Sequence, residues 1–201
     1  MLMSIDRPIH FVMADPPWTY TQRGVEGAAE RSYGVMTLEL IVADLTVAYD
    51  QCIDNCYLAL WVTFPILAEW FEASHKMPWS YVSGATWGKT NGLGIGFHFR
   101  GDAELCLLYR KGAPKPKKVA SNLWLASRGR HSVKPALALL HLVEMATDKN
   151  DTVLDLYAGE SASLALACKR MERNYVGAEA DESRHRSAIE VLSQGDLFFG
   201  T

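Results

Sequence analysis

Residues 151–181 read DTVLDLYAGESASLALACKRMERNYVGAEAD, and no other stretch limits the fold as tightly. An apolar run from Thr152 to Leu156 meets a small-residue turn at Ala158-Gly159. A helix from about Ser161 to Met171, a second strand from Asn174 to Ala178 and an acid, Glu179, follow. Strand, helix and strand in that order form a β-α-β unit of the nucleotide-binding kind. Gly159 permits close backbone approach at the first turn, and an acid about 20 residues on, ending the second strand, suits a ribose diol. A glycine turn alone is a weak signal; a turn and an acid at that spacing are a much stronger one.

The second constraint lies near the start, where residues 14–20 read Ala-Asp-Pro-Pro-Trp-Thr-Tyr. The run Ile9 to Ala14 has the length and apolarity of a strand, and the two prolines end it because neither can donate to a ladder. Asp15 is thereby expected at a strand's carboxyl end, where open α/β sheets bind ligands. An exocyclic base amine is a poor nucleophile, its lone pair being delocalised into the ring. A carboxylate and a backbone carbonyl that each accept one of its N–H groups favour a pyramidal nitrogen able to attack a methyl group. Asp15 and the Pro16 carbonyl suit those roles, Pro17 stiffens the turn, and Trp18 offers a flat face for a base. The competing reading of the same four residues is a rigid turn with a capping Asp and a core Trp.

Ahead of a helix expected over Ala136 to Thr147 stands Arg130-His131-Ser132-Val133-Lys134-Pro135. Pro135 fits a first helical turn, and Lys134 beside it suits the carboxylate of a cofactor's amino-acid end.

ADPPW, GAAERSYGVMTLE (27–39), LALWVT (58–63), GLGIGFHFRGDAELCLLYRKG (92–112), RHSVKP (130–135) and LDLYAG…GAE (154–179) occur in that order. Together they resemble the DPPW branch of the circularly permuted adenine-N6 methyltransferases. That family includes the eukaryotic mRNA adenosine methyltransferase and many bacterial and phage DNA enzymes. The resemblance covers residues 9 to about 182 and implies an α/β, Rossmann-like S-adenosylmethionine-dependent fold. Its sheet is mixed and mostly parallel with helices on both faces, and the catalytic half is encoded first. It places Asp15, Pro16, Pro17 and Trp18 at the target amine and Lys134 at the methionine carboxylate. The turn Asp155, Leu156, Tyr157, Ala158 and Gly159 falls to the methionine half, and Glu179 to the ribose. Two features depart from the pattern. Ser161, after Glu160, stands where relatives with a glycine-rich turn carry a second Gly, and few residues precede the first strand. In the second case a sheet strand is missing, or the tail Asp196-Leu197-Phe198-Phe199 supplies it.

With 201 residues, 49% of them hydrophobic, the chain suits one methyltransferase domain over 1–201. A catalytic half spans about 9–112, a basic loop about 113–130 and a cofactor half about 131–182. No stretch approaches the ~18 apolar residues of a membrane span, and MLMSIDRP lacks the order of a secretion signal, which gives a cytoplasmic expectation. Cys52 and Cys56 lack a nearby His for a zinc pattern, while Cys106 and Cys168 sit in apolar runs, so no metal is expected. Helices are expected over Leu38–Asn55 and Ile66–Lys76, and strands over Tyr57–Thr63, Tyr81–Gly88 and Glu104–Arg110.

Two glycine-bearing loops, Thr19 to Tyr33 and Lys89 to Arg100, read as substrate walls or lids. They supply Arg23, Arg31, Tyr33, Lys89 and Arg100 as candidate substrate contacts. The net charge of −3 excludes a broadly basic nucleic-acid binder, yet Lys115, Lys117 and Lys118 cluster around prolines, with Arg128 and Arg130 after them. These are candidate phosphate contacts. The resulting expectation is N6-methylation of adenine in nucleic acid, DNA favoured over RNA, with S-adenosylmethionine as cofactor and a homo-oligomer or partner subunit left open. A silent nucleic-acid-binding scaffold and an amine methyltransferase for a small molecule or protein are the alternatives.

Overall fold

The computed structural model describes residues 5–19, 35–92, 94, 98–129 and 133–193. Its elements are β1 (Ile9–Ala14), α1 (Leu38–Gln51), β2 (Cys52–Val62), α2 (Leu67–Ser74), β3 (Ser80–Lys89), β4 (Ala103–Lys111) and β5 (Leu123–Ala126). After these come α3 (Ala136–Ala146), β6 (Thr152–Asp155), α4 (Ser163–Arg170), β7 (Asn174–Gly177) and α5 (Glu182–Ser193). The strands form one seven-stranded sheet in the order β5-β3-β4-β2-β1-β6-β7. β1 pairs in parallel with β2 and β6, and β6 with β7, whereas β4 runs antiparallel to both β2 and β3. The expected mixed α/β sheet is therefore present.

Alternation along β2 shows why the sheet is covered twice. Cys56, Leu58, Leu60 and Val62 pack with Ile41 and Leu45 of α1 and Trp70 of α2. Tyr57, Ala59 and Trp61 face the opposite core, with Leu139 and Val143 of α3 and Leu164 and Cys168 of α4. A period of two with both faces apolar is what a central strand requires. Complete burial of side chains such as Leu45 and Leu139 stabilises the layers by about 1.5–3 kcal/mol each. All four cysteines are free and buried, and among the described residues no His, Cys, Asp and Glu cluster has a metal-binding arrangement.

One boundary shifts by several residues and two further elements are present. Residues 52–55, expected as helix, open β2, because Ile9 pairs with Cys52 and the Lys111 ammonium takes the carbonyls of Tyr49 and Cys52 where the helix stops. β5 was not expected; its Trp124 is buried against α3, with the indole N–H donated to His141 at 3.1 Å. α5 was not expected either. Asp181 starts it, its carboxylate accepting from the Ser183 and Arg184 backbone N–H groups. The tail 196–199 lies outside the described residues, as do Arg23, Arg31, Tyr33, Arg130 and His131. No helix among the described residues is long and apolar enough to cross a membrane.

Candidate active site

β1 and β6 are neighbours, but the chain leaves them in opposite directions. β1 continues through α1 to β2 on one side, and β6 through α4 to β7 on the other. Diverging connections open a crevice beyond the carboxyl ends of the two strands, the usual place for a ligand in such a sheet. Asp15 leaves β1 at this point and Asp155 ends β6. Met13 pairs with Asp155, and the Leu156 N–H donates to the Met13 carbonyl at 3.0 Å. Two motifs from opposite ends of the sequence are thus held side by side by ladder geometry.

The double-proline turn is anchored from both sides. Pro16 is buried, and the Pro17 carbonyl accepts from the Met36 N–H at 2.9 Å. Trp18 is only 5% exposed, donates its indole N–H to the Trp61 carbonyl at 3.2 Å and meets Trp70 edge-on at 5.3 Å. The expectation that Trp18 presents a stacking face is corrected: an indole with a satisfied N–H and a core neighbour secures the turn and offers no face to a base.

A chain of alternating charges runs from Asp15. Its Oδ2 accepts from Lys134 Nζ at 2.7 Å, Lys134 Nζ reaches Glu104 Oε2 at 3.1 Å, and Glu104 Oε1 accepts from Lys89 Nζ at 2.7 Å. Both ammonium groups lie over indoles, Lys134 at 5.2 Å from the Trp61 ring centre and Lys89 at 5.1 Å from that of Trp87. Burial pushes the Asp15 carboxyl above the usual range despite Lys134. Burial also opposes the charges of Glu104 and Lys134, yet their partners prevail, lowering the Glu104 carboxyl and raising the Lys134 ammonium from their ordinary values. The antiparallel direction of β4 makes this possible, since it puts the strand's first residues beside the last residues of β2 and β3.

Across the crevice, Gly159 has φ +62°, and no atom of the described residues lies within 4 Å of where its Cβ would stand. Its N–H donates to Glu179 Oε2 at 2.9 Å, and the Ala158 N–H donates to the Ala178 carbonyl at 2.9 Å, joining the β6 and β7 turns. Ser161 needs no glycine: the second left-handed position is Ala162, at φ 50°. The Tyr157 hydroxyl donates to Asp44 at 3.1 Å and Leu156 is buried beneath the turn. Asp155 is 3% exposed, and burial pushes its carboxyl up to about 7. Its Oδ2 accepts from the Tyr175 hydroxyl at 3.3 Å, while its Oδ1 is buried without a partner among the described residues. Gly177 makes room for that hydroxyl, since a Cβ there would stand 2.5 Å from the Tyr175 oxygen.

Of the expected substrate contacts, Lys89 joins the charge chain. Arg128, at the carboxyl end of β5, is fixed at the same pole by two hydrogen bonds of its backbone to Asn91. Arg100 is exposed in the loop before β4. The basic loop is not there. Lys115, Lys117 and Lys118 follow the carboxyl end of antiparallel β4, and the first two line a cavity of about 270 Å³ with His10 and Asp151 at the amino ends of β1 and β6. The six residues of β1, about 20 Å, separate the two poles. Lys117 pairs with Asp148, just beyond α3, at 2.5 Å and Lys118 with Glu144 of α3 at 2.9 Å, so this loop lies against the end of α3 and apart from Asp15. Glu104, Tyr175 and Asp44 were missed from sequence. The readable signal was a lone carboxylate, Glu104, opening the apolar run Leu105 to Leu108.

A family model described as DNA methylase matches residues 9–190. An Escherichia coli K12 protein named as a methylase, YubD, is 35% identical over 95 residues, which span 45% of this chain and 41% of that protein. The fold resembles that of TTHA0409 from Thermus thermophilus, described as a DNA modification methylase. Its TM-score is 0.72 at 19% identity, covering 96% of this chain and 91% of that one. M1.HpyAVI gives 0.69 at 21% identity over 92% and 88% of the two chains. The PvuII cytosine-N4 DNA methyltransferase gives 0.73 at 13% identity over 96% and 82%. The Rossmann-like fold of the S-adenosylmethionine-dependent DNA methyltransferases is thereby matched along nearly the whole chain.

Proposed function

The chain belongs to the DNA methylase family, and on that premise we propose that it transfers the methyl group of S-adenosylmethionine to the N6 amine of adenine in DNA. The observation that carries the reading is the position of Asp15 at the β1/β6 crevice, beside the turn that Glu179 closes. The circularly permuted order and the DPPW branch belong to the same reading.

The residues across the crevice fit S-adenosylmethionine. Asp155 Oδ1 is a buried acceptor in want of a donor, which suits the methionine ammonium. Gly159 leaves space for close approach, Glu179 suits the ribose hydroxyls, and the Lys134 ammonium suits the methionine carboxylate. When bound, the cofactor supplies an electrophilic methyl group.

Asp15 and the Pro16 carbonyl then accept the two N–H groups of the target amine. They turn its lone pair towards the methyl, and the amine loses its proton after transfer, so no general base is needed. The Pro17 carbonyl already accepts from the Met36 N–H, which supports Pro16 as the second acceptor. In a duplex the adenine must leave the stack to reach this recessed turn, at a cost of a few kcal/mol. Lys89, Arg100 and Arg128 stand at the same pole and are the described candidates for phosphate or base contacts; Arg23, Arg31, Tyr33 and Arg130 complete that set.

Purified protein incubated with labelled S-adenosylmethionine and DNA, then nucleoside digestion and mass spectrometry, tests the proposal. N6-methyldeoxyadenosine is the expected product. N4-methyldeoxycytidine would move the target to cytosine. Label in RNA or free adenosine but not DNA would replace the substrate, and no transfer at all would favour a silent scaffold.

A further inference from the structure

We propose that Glu104 is a positioning residue of this site, which aims the Lys134 ammonium at the anionic end of the cofactor. The inference rests on the cofactor reading above. An ammonium has three N–H donors on a flexible stem. Two of those of Lys134 are spent, on Asp15 Oδ2 at 2.7 Å and on Glu104 Oε2 at 3.1 Å. The Trp61 ring lies against one side of the group, with its centre 5.2 Å away. Two bonds fix both the place and the rotation of the ammonium, so its third N–H has one direction in which to point. With a single bond to Asp15, the group pivots.

Glu104 is itself held. Its other oxygen accepts from Lys89 at 2.7 Å, and both side chains are largely buried, at 18% and 10% exposed. A carboxylate bridging two ammonium groups at the crevice end of the sheet forms a rigid mount, because moving Glu104 or Lys134 breaks two charged hydrogen bonds. The mount also divides the attraction of Lys134 between two carboxylates, so Asp15 does not hold it alone. Asp15 keeps its second oxygen for the target amine.

A direct effect of charge and an effect of position predict opposite results. Glu104 is an anion close to where the methionine carboxylate would bind. If its charge alone mattered, Glu104→Met would tighten S-adenosylmethionine binding severalfold, and Glu104→Asp would behave as wild type. If it positions Lys134, both substitutions weaken binding. Met offers no oxygen acceptor, and Asp keeps the charge but is one methylene too short to hold both lysines.

The test is calorimetric titration of S-adenosylmethionine into the wild-type chain and the two variants, with thermal unfolding to establish that each is folded. Positioning predicts a dissociation constant raised about tenfold or more in both, the effect of losing one charge-assisted hydrogen bond. If the Met variant fails to fold, the Asp variant decides alone. Binding in either folded variant as tight as, or tighter than, in wild type overturns the proposal and leaves the cofactor reading intact. A wild-type chain without affinity overturns both.

Discussion

Replacing Asp155 with Asn is expected to reverse its effect on stability between acid and alkaline pH. The carboxyl is 3% exposed and pushed by burial up to about 7, against about 3.9 in an unfolded chain. A folded value above the unfolded one means that the folded state holds the proton more tightly. The stability this provides is fully present below about pH 4 and is lost as pH rises through about 7. Three units at about 1.36 kcal/mol each set an upper bound of about 4 kcal/mol on the loss. Asn cannot ionise and escapes it. Its amide keeps an oxygen for the Tyr175 hydroxyl but puts N–H groups where Oδ1 lay without a partner, a pH-independent cost of about 1–3 kcal/mol. The variant should therefore be less stable than wild type at pH 4 and equal or more stable at pH 8. Urea unfolding of both proteins at several pH values, with equal slopes, measures the difference. Parallel stability curves across that range would refute the reasoning, since they would mean that Asp155 titrates alike in both states.

Glu179→Ala and Lys134→Ala should each weaken S-adenosylmethionine binding about ten- to a hundredfold in calorimetry, through loss of the ribose and carboxylate contacts. Simultaneous replacement of Lys115, Lys117 and Lys118 by Ala should leave both DNA affinity and its dependence on salt unchanged in fluorescence anisotropy, because these residues occupy the pole opposite Asp15. A flattened salt slope would instead count them as phosphate contacts. Burial raises the Asp15 carboxyl and the amine needs its ionised form, so single-turnover transfer should fall on acidification at a pH above the ordinary aspartate range.

The strand ends were legible because they rest on local chemistry. Two prolines must stop β1, and a small-residue turn before a helix must end β6, so Asp15 and Gly159 could be placed without knowledge of their neighbours. What failed was direction. The basic loop read as a source of phosphate contacts with no sign of which pole it occupies, but antiparallel β4 carries its last residues to the far pole and its first, including Glu104, into the crevice. Strand direction is set by pairing partners that no local pattern declares. Trp18 was ambiguous for a similar reason, as the same indole serves a base or a core and only the presence of Trp70 and the Trp61 carbonyl decides. β5 was invisible because its four residues alternate buried and exposed side chains for too short a span to establish a period.

The central claim, that Asp15 acts on the methyl acceptor and not on the cofactor, is tested most directly by single-turnover methyl transfer to DNA with Asp15→Asn alongside calorimetric binding of S-adenosylmethionine. The Asn amide keeps an oxygen to accept from Lys134 but offers the target amine a donor in place of an acceptor, so cofactor affinity should stay within a few-fold of wild type. Transfer should slow about a hundredfold or more, the usual effect of losing one preorganised electrostatic contact. A variant that methylates DNA at close to the wild-type rate would contradict the account.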